Sequence, residues 1–250
     1  MIDFEEFIDK KVMEDKPLDN DFNDKRFHPS SAGYCERQIF LRKAGLAKFD
    51  RYVRGSMLSG TILHNWIQSH IKDKGKIEAE VITQFADKKI NPYEVYFKGY
   101  SDFIAENICY DFKSTANIKF NSNGVKEYHK DQLLVYMSGI KAERGIIVYI
   151  DKRDLSARQF EVLPDNEKIK SIFAKVSRVY DAYAKYKKSK DKKIPFEKCG
   201  CYFCKDEKLK AIEEICMCKG QASLVYYDGI IPILKCAKCG DEFEAAEESS

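Results

Sequence analysis

Seven of the nine cysteines in this chain lie between Cys199 and Cys239, near its C-terminal end. The N-terminus is acidic and amphipathic, without the basic start and apolar run of a secretory signal, and no apolar stretch approaches the ~20 residues that span a bilayer. We therefore expect an intracellular protein in a reducing compartment, where clustered cysteines bind metal more often than they form disulfides. The cysteines thus predict a metal-stabilised segment that follows a boundary near Pro195.

The composition fits one main domain with a small appendage. At 250 residues, 44% of them hydrophobic and 33% charged, the chain is long enough to bury a core. The formal net charge of +3 does not identify a nucleic-acid binder, because the lysines are interspersed with nearly as many acids. The densest basic run, from Lys185 to Lys193, fits a solvated helix end as well as it fits a contact with a DNA backbone.

The spacing of apolar residues predicts alternating helices and strands. Helical periodicity predicts helices at residues 4–12, 30–44, 52–72, 125–142 and 164–188. Alternating or continuous apolar runs predict strands at residues 77–85, 93–97, 101–105, 108–113, 145–150 and 156–162. The first four strands form an antiparallel meander in this interpretation, and the last is an edge strand. The order predicts an α/β fold with a mixed sheet between helices, in three layers.

Two acids and a lysine lie at the ends of two neighbouring predicted strands. Asp102 lies at one end of the strand predicted at 101–105, and Asp111, near the end of the next, is followed two residues later by Lys113. Because side chains alternate along a strand, Asp111 and Lys113 share a face. Carboxylates hold Mg²⁺ or Mn²⁺, and a lysine offsets the negative charge that develops during phosphodiester hydrolysis. The alternative interpretation is a surface ion pair.

Four short motifs resemble those of the RecB-like nucleases of the PD-(D/E)XK class. Gly60–His64 is similar to their G-x-x-x-H helix motif, and Gly99–Asp102 is similar to their G-x-x-D motif. Asp111–Thr115 is similar to D-x-K-T/S, and Gln132–Tyr136 is similar to Q-x-x-x-Y. The motifs follow the family's order, each on the element type predicted above. The resemblance implies a restriction-endonuclease-like fold, a mixed sheet flanked by helices.

The same resemblance implies a divalent-metal site. In it His64, Asp102 and Asp111 are Mg²⁺ or Mn²⁺ ligands together with the backbone carbonyl of Phe112, and Lys113 is the electrostatic catalyst. The alternative for the histidine is a structural role within its helix.

The resemblance also implies a substrate. Gln132 and Tyr136, one helical turn apart, line the path of the DNA, and the family acts on single-stranded ends. Glu80 is a further candidate acid, although Glu78 shares its strand face and either can simply be exposed.

One cysteine before the predicted core and a group after it resemble the iron–sulfur ligands of a subset of this family, the CRISPR-associated exonucleases and AddB-type nuclease domains. By that resemblance Cys35 joins Cys199, Cys201 and Cys204 around a 4Fe–4S cluster. The spacing C-x-C-x-x-C departs from the family's pattern. In the alternative, Cys199 is a spectator and Cys216 completes the set.

The remaining C-terminal cysteines predict a zinc ribbon. Two cysteine knuckles flank a hairpin predicted at residues 223–234, turning at Asp228 and Gly229, and its four zinc ligands are Cys216, Cys218, Cys236 and Cys239. Cys109 is left over and is expected to be a buried structural thiol. A rival arrangement places two structural zinc ions and no iron on the eight clustered cysteines.

These observations predict a nuclease domain at residues 1–205 and a zinc-ribbon-like tail at 206–250. The leading hypothesis is a metal-dependent exonuclease that trims single-stranded DNA ends. A non-catalytic nucleic-acid-binding or assembly module is the alternative, and a restriction-type endonuclease is a third possibility. The tail either binds a protein or nucleic acid or only caps the chain, and no membrane contact is expected.

Overall fold

The computed structural model describes residues 12, 24–47, 51–115, 124–189, 193–201, 203–204, 214–215, 221–228, 231–236 and 242–244. Of the predictions above, most of the opening helix and the zinc ligands Cys216, Cys218 and Cys239 lie outside these residues, and of Cys236 only the backbone is described. Among the described helices, none is both long and apolar enough to cross a membrane.

Residues 17–46 and 58–196 form a compact unit around a six-stranded sheet. Its strands are β1 (Arg26–Phe27), β2 (Lys76–Gln84), β3 (Tyr96–Ala105), β4 (Ile108–Thr115), β5 (Arg144–Asp151) and β6 (Ala157–Val162). The sheet order is β1-β3-β4-β5-β6, and β2 pairs with β3. The β1–β3 and β4–β5 pairs are parallel and the others antiparallel. The predicted mixed sheet with an edge strand at 156–162 is therefore confirmed.

Four helices accompany the sheet: α1 (Glu36–Lys43), α2 (Arg51–Ile71), α3 (Glu127–Ile140) and α4 (Asn166–Lys188). The N-cap of α4 is Asp165, whose carboxylate accepts a hydrogen bond from the backbone N–H of Lys168 and so satisfies one of the free donors of the first turn. The α3 helix ends at Lys141 in the left-handed conformation, a common way to stop a helix. Both boundaries fall within two residues of those predicted.

The sheet separates α2 from α3. Val148 and Ile150 of β5 belong to an apolar cluster with Phe103 and Phe112, against which Leu63, Ile67 and Ile71 of α2 pack. Gly145 lies on the other face of β5, where a Cβ atom would come within 2.6 Å of the Met137 sulfur of α3. Burying each large apolar side chain contributes about 1.5–3 kcal/mol, so this three-layer arrangement is the main source of stability.

Two details differ from the sequence expectations. The strands expected at 93–97 and 101–105 are a single strand, Tyr96–Ala105. It begins at Tyr96 because Asn91 holds the preceding turn through hydrogen bonds with both backbone groups of Val95. The helix expected at 30–44 is interrupted: a 3₁₀ turn covers Pro29–Ser31 and α1 begins only at Glu36. Gly33 lies between them, and a Cβ there would sit 2.2 Å from the Cα of Tyr128, so close approach to α3 determines the backbone path.

The second compact unit comprises residues 1–16, 47–57 and 197–250. It contains a four-stranded antiparallel sheet of β7 (Glu214–Ile215), β8 (Gln221–Asp228), β9 (Ile231–Cys236) and β10 (Glu242–Glu244), in the order β10-β9-β8-β7. The β8–β9 pair is the predicted hairpin, and its last pairing joins Asp228 to Ile231. The zinc site predicted beside it stays a prediction.

Candidate active site

The two predicted acids meet where β3 and β4 separate. The β3–β4 ladder pairs Phe103 with Tyr110 and is not continued by the next residues, Asp102 and Asp111. Instead, Asp102 Oδ2 accepts a hydrogen bond of 2.6 Å from the backbone N–H of Phe112. A carboxylate thus replaces a backbone carbonyl as the acceptor, which holds Asp102 against β4 beside Asp111.

Asp111 and Lys113 form a buried ion pair on one face of β4, as the strand periodicity predicts. Lys113 Nζ lies 3.0 Å from Asp111 Oδ1 and 2.9 Å from Oδ2, and it donates a third contact of 3.0 Å to Gln132 Oε1 of α3. Asp111 is 1% exposed. Its Oδ2 accepts no well-directed hydrogen bond within the described part of the chain, although it lies close to the ammonium.

His64 completes the group from α2. Its Nδ1 lies 3.4 Å from Asp102 Oδ1, and its ring packs edge-to-face on Phe112. One helical turn later, the buried Gln68 donates a hydrogen bond of 3.3 Å to the backbone carbonyl of Asp102. No sequence motif singles out Gln68, and in the structure it fixes α2 to β3.

The pKa values of three groups at the site, Asp111, His64 and Lys113, are all raised. Burial, together with the nearby Asp102, raises the pKa of Asp111 even though Lys113 opposes the shift. Burial lowers the pKa of His64, but the hydrogen bond and charge of Asp102 outweigh it and the net shift is upward. The pKa of Lys113 is likewise raised, because the two carboxylates outweigh its burial. Each shift favours an added positive charge.

The donor set fits a divalent cation. Two carboxylates and an imidazole are ligands that Mg²⁺ and Mn²⁺ accept, and the under-bonded Oδ2 of Asp111 is a buried acceptor for which a cation is a natural partner. His64, Asp102 and Asp111 would hold such an ion. The contribution expected from the Phe112 carbonyl stays a prediction.

The two residues expected along the DNA path have different surroundings. Gln132 joins the site through Lys113. Tyr136 is 5% exposed and is hydrogen-bonded to Gln132, and burial raises its pKa. Its hydroxyl lies beside Gly99, where a Cβ would sit 3.3 Å from that oxygen and 2.7 Å from Pro29. Tyr136 therefore orients Gln132, which orients Lys113, and a direct DNA contact by Tyr136 stays a prediction.

Glu80, the further candidate acid, lies in an exposed ion pair. Its Oε2 is 2.9 Å from Lys98 Nζ and 3.4 Å from the hydroxyl of Tyr100. The ion pair with Lys98, reinforced by Tyr100, lowers the pKa of Glu80. Glu80 is therefore exposed, which is one of the two alternatives that the sequence left open for it.

A tyrosine and a histidine beside the site escaped sequence analysis. Tyr149 pairs with Lys113 in the parallel β4–β5 register, and its hydroxyl accepts a hydrogen bond of 3.2 Å from the backbone N–H of Lys126. The same hydroxyl lies 2.8 Å from His129 Nδ1 and can donate to it. Burial, aided by Lys113 and Lys126, lowers the pKa of His129 to about 3, so the ring is neutral. The available signal was that His129 precedes Gln132 by three residues on one helix face.

Three of the C-terminal cysteines form a group of potential metal ligands. The sulfur atoms of Cys199, Cys201 and Cys204 all lie within 4.8 Å of one another, and those of Cys199 and Cys204 are 3.7 Å apart. The participation of Cys35 stays a prediction. Cys35 is the N-cap of α1, where its sulfur accepts a hydrogen bond from Gln38 N. Cys109 is fully buried, as predicted, and burial strongly raises its pKa.

Comparison with known proteins finds similarity of fold. A crystal structure titled SSO0001 is 20% identical, covers 75% of this chain and 88% of its own, and gives a TM-score of 0.51. An alkaline exonuclease from Laribacter hongkongensis is 16% identical over 66% of this chain and 92% of its own, with a TM-score of 0.47. A phage-related exonuclease from Haemophilus somnus 129PT is 13% identical over 66% and 96%, with a TM-score of 0.40.

These identities bear on the fold alone. The TM-scores of the two exonucleases are too low to support an inference about function. No protein-family model and no curated protein matches the sequence.

Proposed function

We propose that this chain is a metal-dependent DNA nuclease of the PD-(D/E)XK class that acts as an exonuclease on single-stranded ends. The observation that carries the proposal is the buried carboxylate of Asp111, which keeps an under-bonded oxygen beside a second acid and a lysine. A folded protein retains such an arrangement at a cost, and perturbed carboxylates of this kind concentrate at functional sites. The choice of DNA, and of single-stranded ends, comes from the four-motif resemblance.

The proposed metal site consists of His64, Asp102 and Asp111. A bound Mg²⁺ or Mn²⁺ supplies Lewis acidity toward a phosphodiester oxygen and makes a bound water more acidic. The protein's part is to keep the ligands in place: Phe112 N holds Asp102, and Gln68 holds the strand that carries it.

Lys113 has a separate role in the proposed reaction. Asp111 and Gln132 fix its ammonium, so it needs little rearrangement to face the negative charge that grows on the phosphate in the transition state. Tyr136 is a positioning residue that acts through Gln132. The Tyr149–His129 pair borders the lysine with neutral groups and so does not compete with the substrate for its charge.

The test is digestion of end-labelled single- and double-stranded DNA with Mn²⁺ by wild-type protein and by Asp111→Ala. We expect the variant to lose activity by more than about 100-fold, the scale on which electrostatic groups of active sites act. Glu161→Ala, which removes an exposed acid from β6 of the same sheet, is the matched control and should match wild type. Equal activity of wild type and Asp111→Ala, or activity in neither, contradicts the proposal.

The alternatives give different outcomes in the same assay. A non-catalytic module retains labelled DNA in a binding assay without shortening it. A restriction-type endonuclease cuts circular DNA, whereas an exonuclease leaves circles intact and shortens linear strands from the label. Circular and linear single strands of one sequence therefore separate the three hypotheses.

We further propose that Cys35, Cys199, Cys201 and Cys204 hold a metal centre. The family resemblance implies a 4Fe–4S cluster at these residues. The 3.7 Å between the sulfurs of Cys199 and Cys204 instead suits one tetrahedral ion, because thiolates about 2.3 Å from a zinc ion lie about 3.8 Å apart. Four irons would separate the sulfurs further. Iron, sulfide and zinc analysis of anaerobically purified protein decides, and zinc alone would remove the cluster.

The zinc ribbon of the C-terminal segment is proposed from the sequence. Its ligands would be Cys216, Cys218, Cys236 and Cys239. Replacing Cys239 by serine should lower the zinc content by one ion per chain without changing iron. An unchanged zinc content contradicts the site. A protein partner for this segment and an intracellular location remain expectations.

A further inference from the structure

A second buried aspartate lies at the end of β5 and is clamped by an arginine. Asp151 is 0% exposed, and its Oδ1 accepts hydrogen bonds of 3.0 Å from both Nε and the backbone N–H of Arg153. Its Oδ2 accepts a third bond, of 2.8 Å, from Arg153 Nη2. The guanidinium is therefore fixed in one orientation although the side chain is 61% exposed.

The Asp151–Arg153 pair lies next to the candidate active site, further along the direction of β4 and β5. In the parallel β4–β5 register Lys113 pairs with Tyr149, and Thr115 pairs with Asp151. Asp151 is two residues beyond Tyr149 on the same face, a step of about 7 Å along the strand. Arg153 consequently lies beyond Lys113, on the side toward which the carboxyl ends of both strands run.

The arginine keeps donors for a further acceptor. A guanidinium has five N–H donors, and the two side-chain bonds to Asp151 use two of them, so three remain among the contacts that the structure describes. Its planar fork suits a phosphate. Lys126 lies beside Tyr149, because its backbone N–H bonds to the Tyr149 hydroxyl, and the contact described for its ammonium is the ring of Tyr128, 5.9 Å away.

We propose that Arg153, held by Asp151, binds a backbone phosphate of the DNA strand next to the phosphate that is cleaved. The proposal rests on the nuclease function proposed above and names a residue that sets the path of its substrate. A fixed guanidinium loses little side-chain entropy on binding, which is an advantage over a flexible lysine at the same place. Pairing with Asp151 leaves the outer edge of the guanidinium to the substrate.

The experiment compares Arg153→Gln with Arg144→Gln. Arg144 is a matched control because it is also exposed on β5 and paired with a carboxylate, Glu161, but lies at the opposite end of the strand. Binding of a fluorescein-labelled oligothymidylate is measured by anisotropy without divalent metal over a range of salt concentrations. Arg153→Gln should weaken binding about 10-fold and reduce the salt slope by about 0.7, the value for one phosphate on a single strand.

A double variant guards against misfolding. Arg153→Gln leaves Asp151 buried without the guanidinium, whereas Asp151→Asn combined with Arg153→Gln removes both charges and keeps two side chains that can hydrogen-bond. We expect the double variant to fold as wild type does, to show the same weakened binding, and to raise KM with little change in kcat.

The outcomes separate this proposal from the function on which it rests. Wild type that neither binds nor cleaves DNA overturns both. If wild type binds and cleaves, but the double variant and Arg144→Gln behave alike, only the phosphate contact is overturned and the arginine merely neutralises Asp151.

Discussion

Asp111 on β4 and Asp151 on β5 are buried equally deeply in neighbouring parallel strands, yet their surroundings differ. Asp151 receives three N–H donors from one residue, Arg153, and both of its oxygens are satisfied. Asp111 receives one well-directed bond from Lys113, keeps an under-bonded oxygen, and has the carboxylate of Asp102 beside it. One aspartate is stabilised by its neighbours, and the other is held where ionisation is costly.

The difference separates a structural role from a functional one. A buried acid with complete hydrogen bonding stabilises the fold, because its removal leaves donors without partners. A buried acid whose pKa is raised weakens the fold when ionised, and a cation can reverse that penalty. Burial alone therefore does not distinguish the two roles, whereas the number and direction of hydrogen bonds does.

Neutralising each acid in turn tests the two roles and has the largest expected effect. Asp111→Asn should reduce nuclease activity by more than about 100-fold and leave Tm of the metal-free protein unchanged or raised, because a disfavoured charge is removed. Asp151→Asn should cost about 1–3 kcal/mol of unfolding free energy and change kcat at saturating DNA by less than about twofold. Thermal unfolding and initial rates on labelled DNA give both quantities.

The opposite pattern would invalidate this division of roles. A marked loss of stability in Asp111→Asn, with activity retained, would make Asp111 the structural acid. Asp111→Ala is less suitable here, since it also opens a cavity.

Much of this fold could be predicted from the spacing of apolar residues in the sequence. The edge strand 156–162, the long α4 helix and the three-layer order required only apolar spacing and helix-boundary signals. The break at Gly33 was not predictable, because it depends on contact with Tyr128, a residue far away in sequence. Sequence patterns predict local conformation, and they contain no signal for close contacts between segments that are distant in the sequence.

The residues of the candidate site likewise fall into a predictable and an unpredictable group. Recognisable sequence motifs contain Asp102, Asp111, Lys113 and His64, and the structure brings them together with Gln132. Tyr149 and His129 belong to no such motif. In the sequence, a tyrosine in an apolar strand looks like any core residue, and only the β4–β5 register shows that Tyr149 lies beside Lys113. The hydrogen bond from Phe112 N to Asp102 likewise requires the strands to separate at that point.

Metal binding should also distinguish Asp111 from Asp151. Saturating Mn²⁺ should raise the Tm of wild type. The added free energy of unfolding is about 2.7 kcal/mol when the ion is at 100 times its Kd. The gain should vanish in Asp111→Asn and persist in Asp151→Asn. It should also shrink as pH falls, because the ion must displace the proton that the raised pKa of Asp111 retains. Differential scanning fluorimetry at several pH values measures it, and an equal shift in both variants would contradict the assigned ligands.

The smallest expected effect concerns His129, which contacts Tyr149 between the two acids. Its pKa is lowered from 6.5 to about 3, so the folded state binds fewer protons than the unfolded state between these values. Its contribution to stability is therefore complete above pH 6.5 and is lost as pH falls toward 3. His129→Gln should flatten the pH dependence of unfolding by at most about 1.4 kcal/mol per pH unit. An unchanged slope in urea titrations would mean that the ring is protonated in the folded protein.

The 3₁₀ turn at Pro29–Ser31 has a consequence for how the chain folds. Pro29 abuts Gly99 of β3, Gly33 abuts Tyr128 of α3, and Ala32 accepts a hydrogen bond from Lys175 of α4. The segment can dock only once these three elements have met, so we expect its contacts to form late in folding. Substitutions there should speed unfolding and leave the folding rate almost unchanged. By this expectation the short turn affects the lifetime of the native protein more than the speed at which the protein folds.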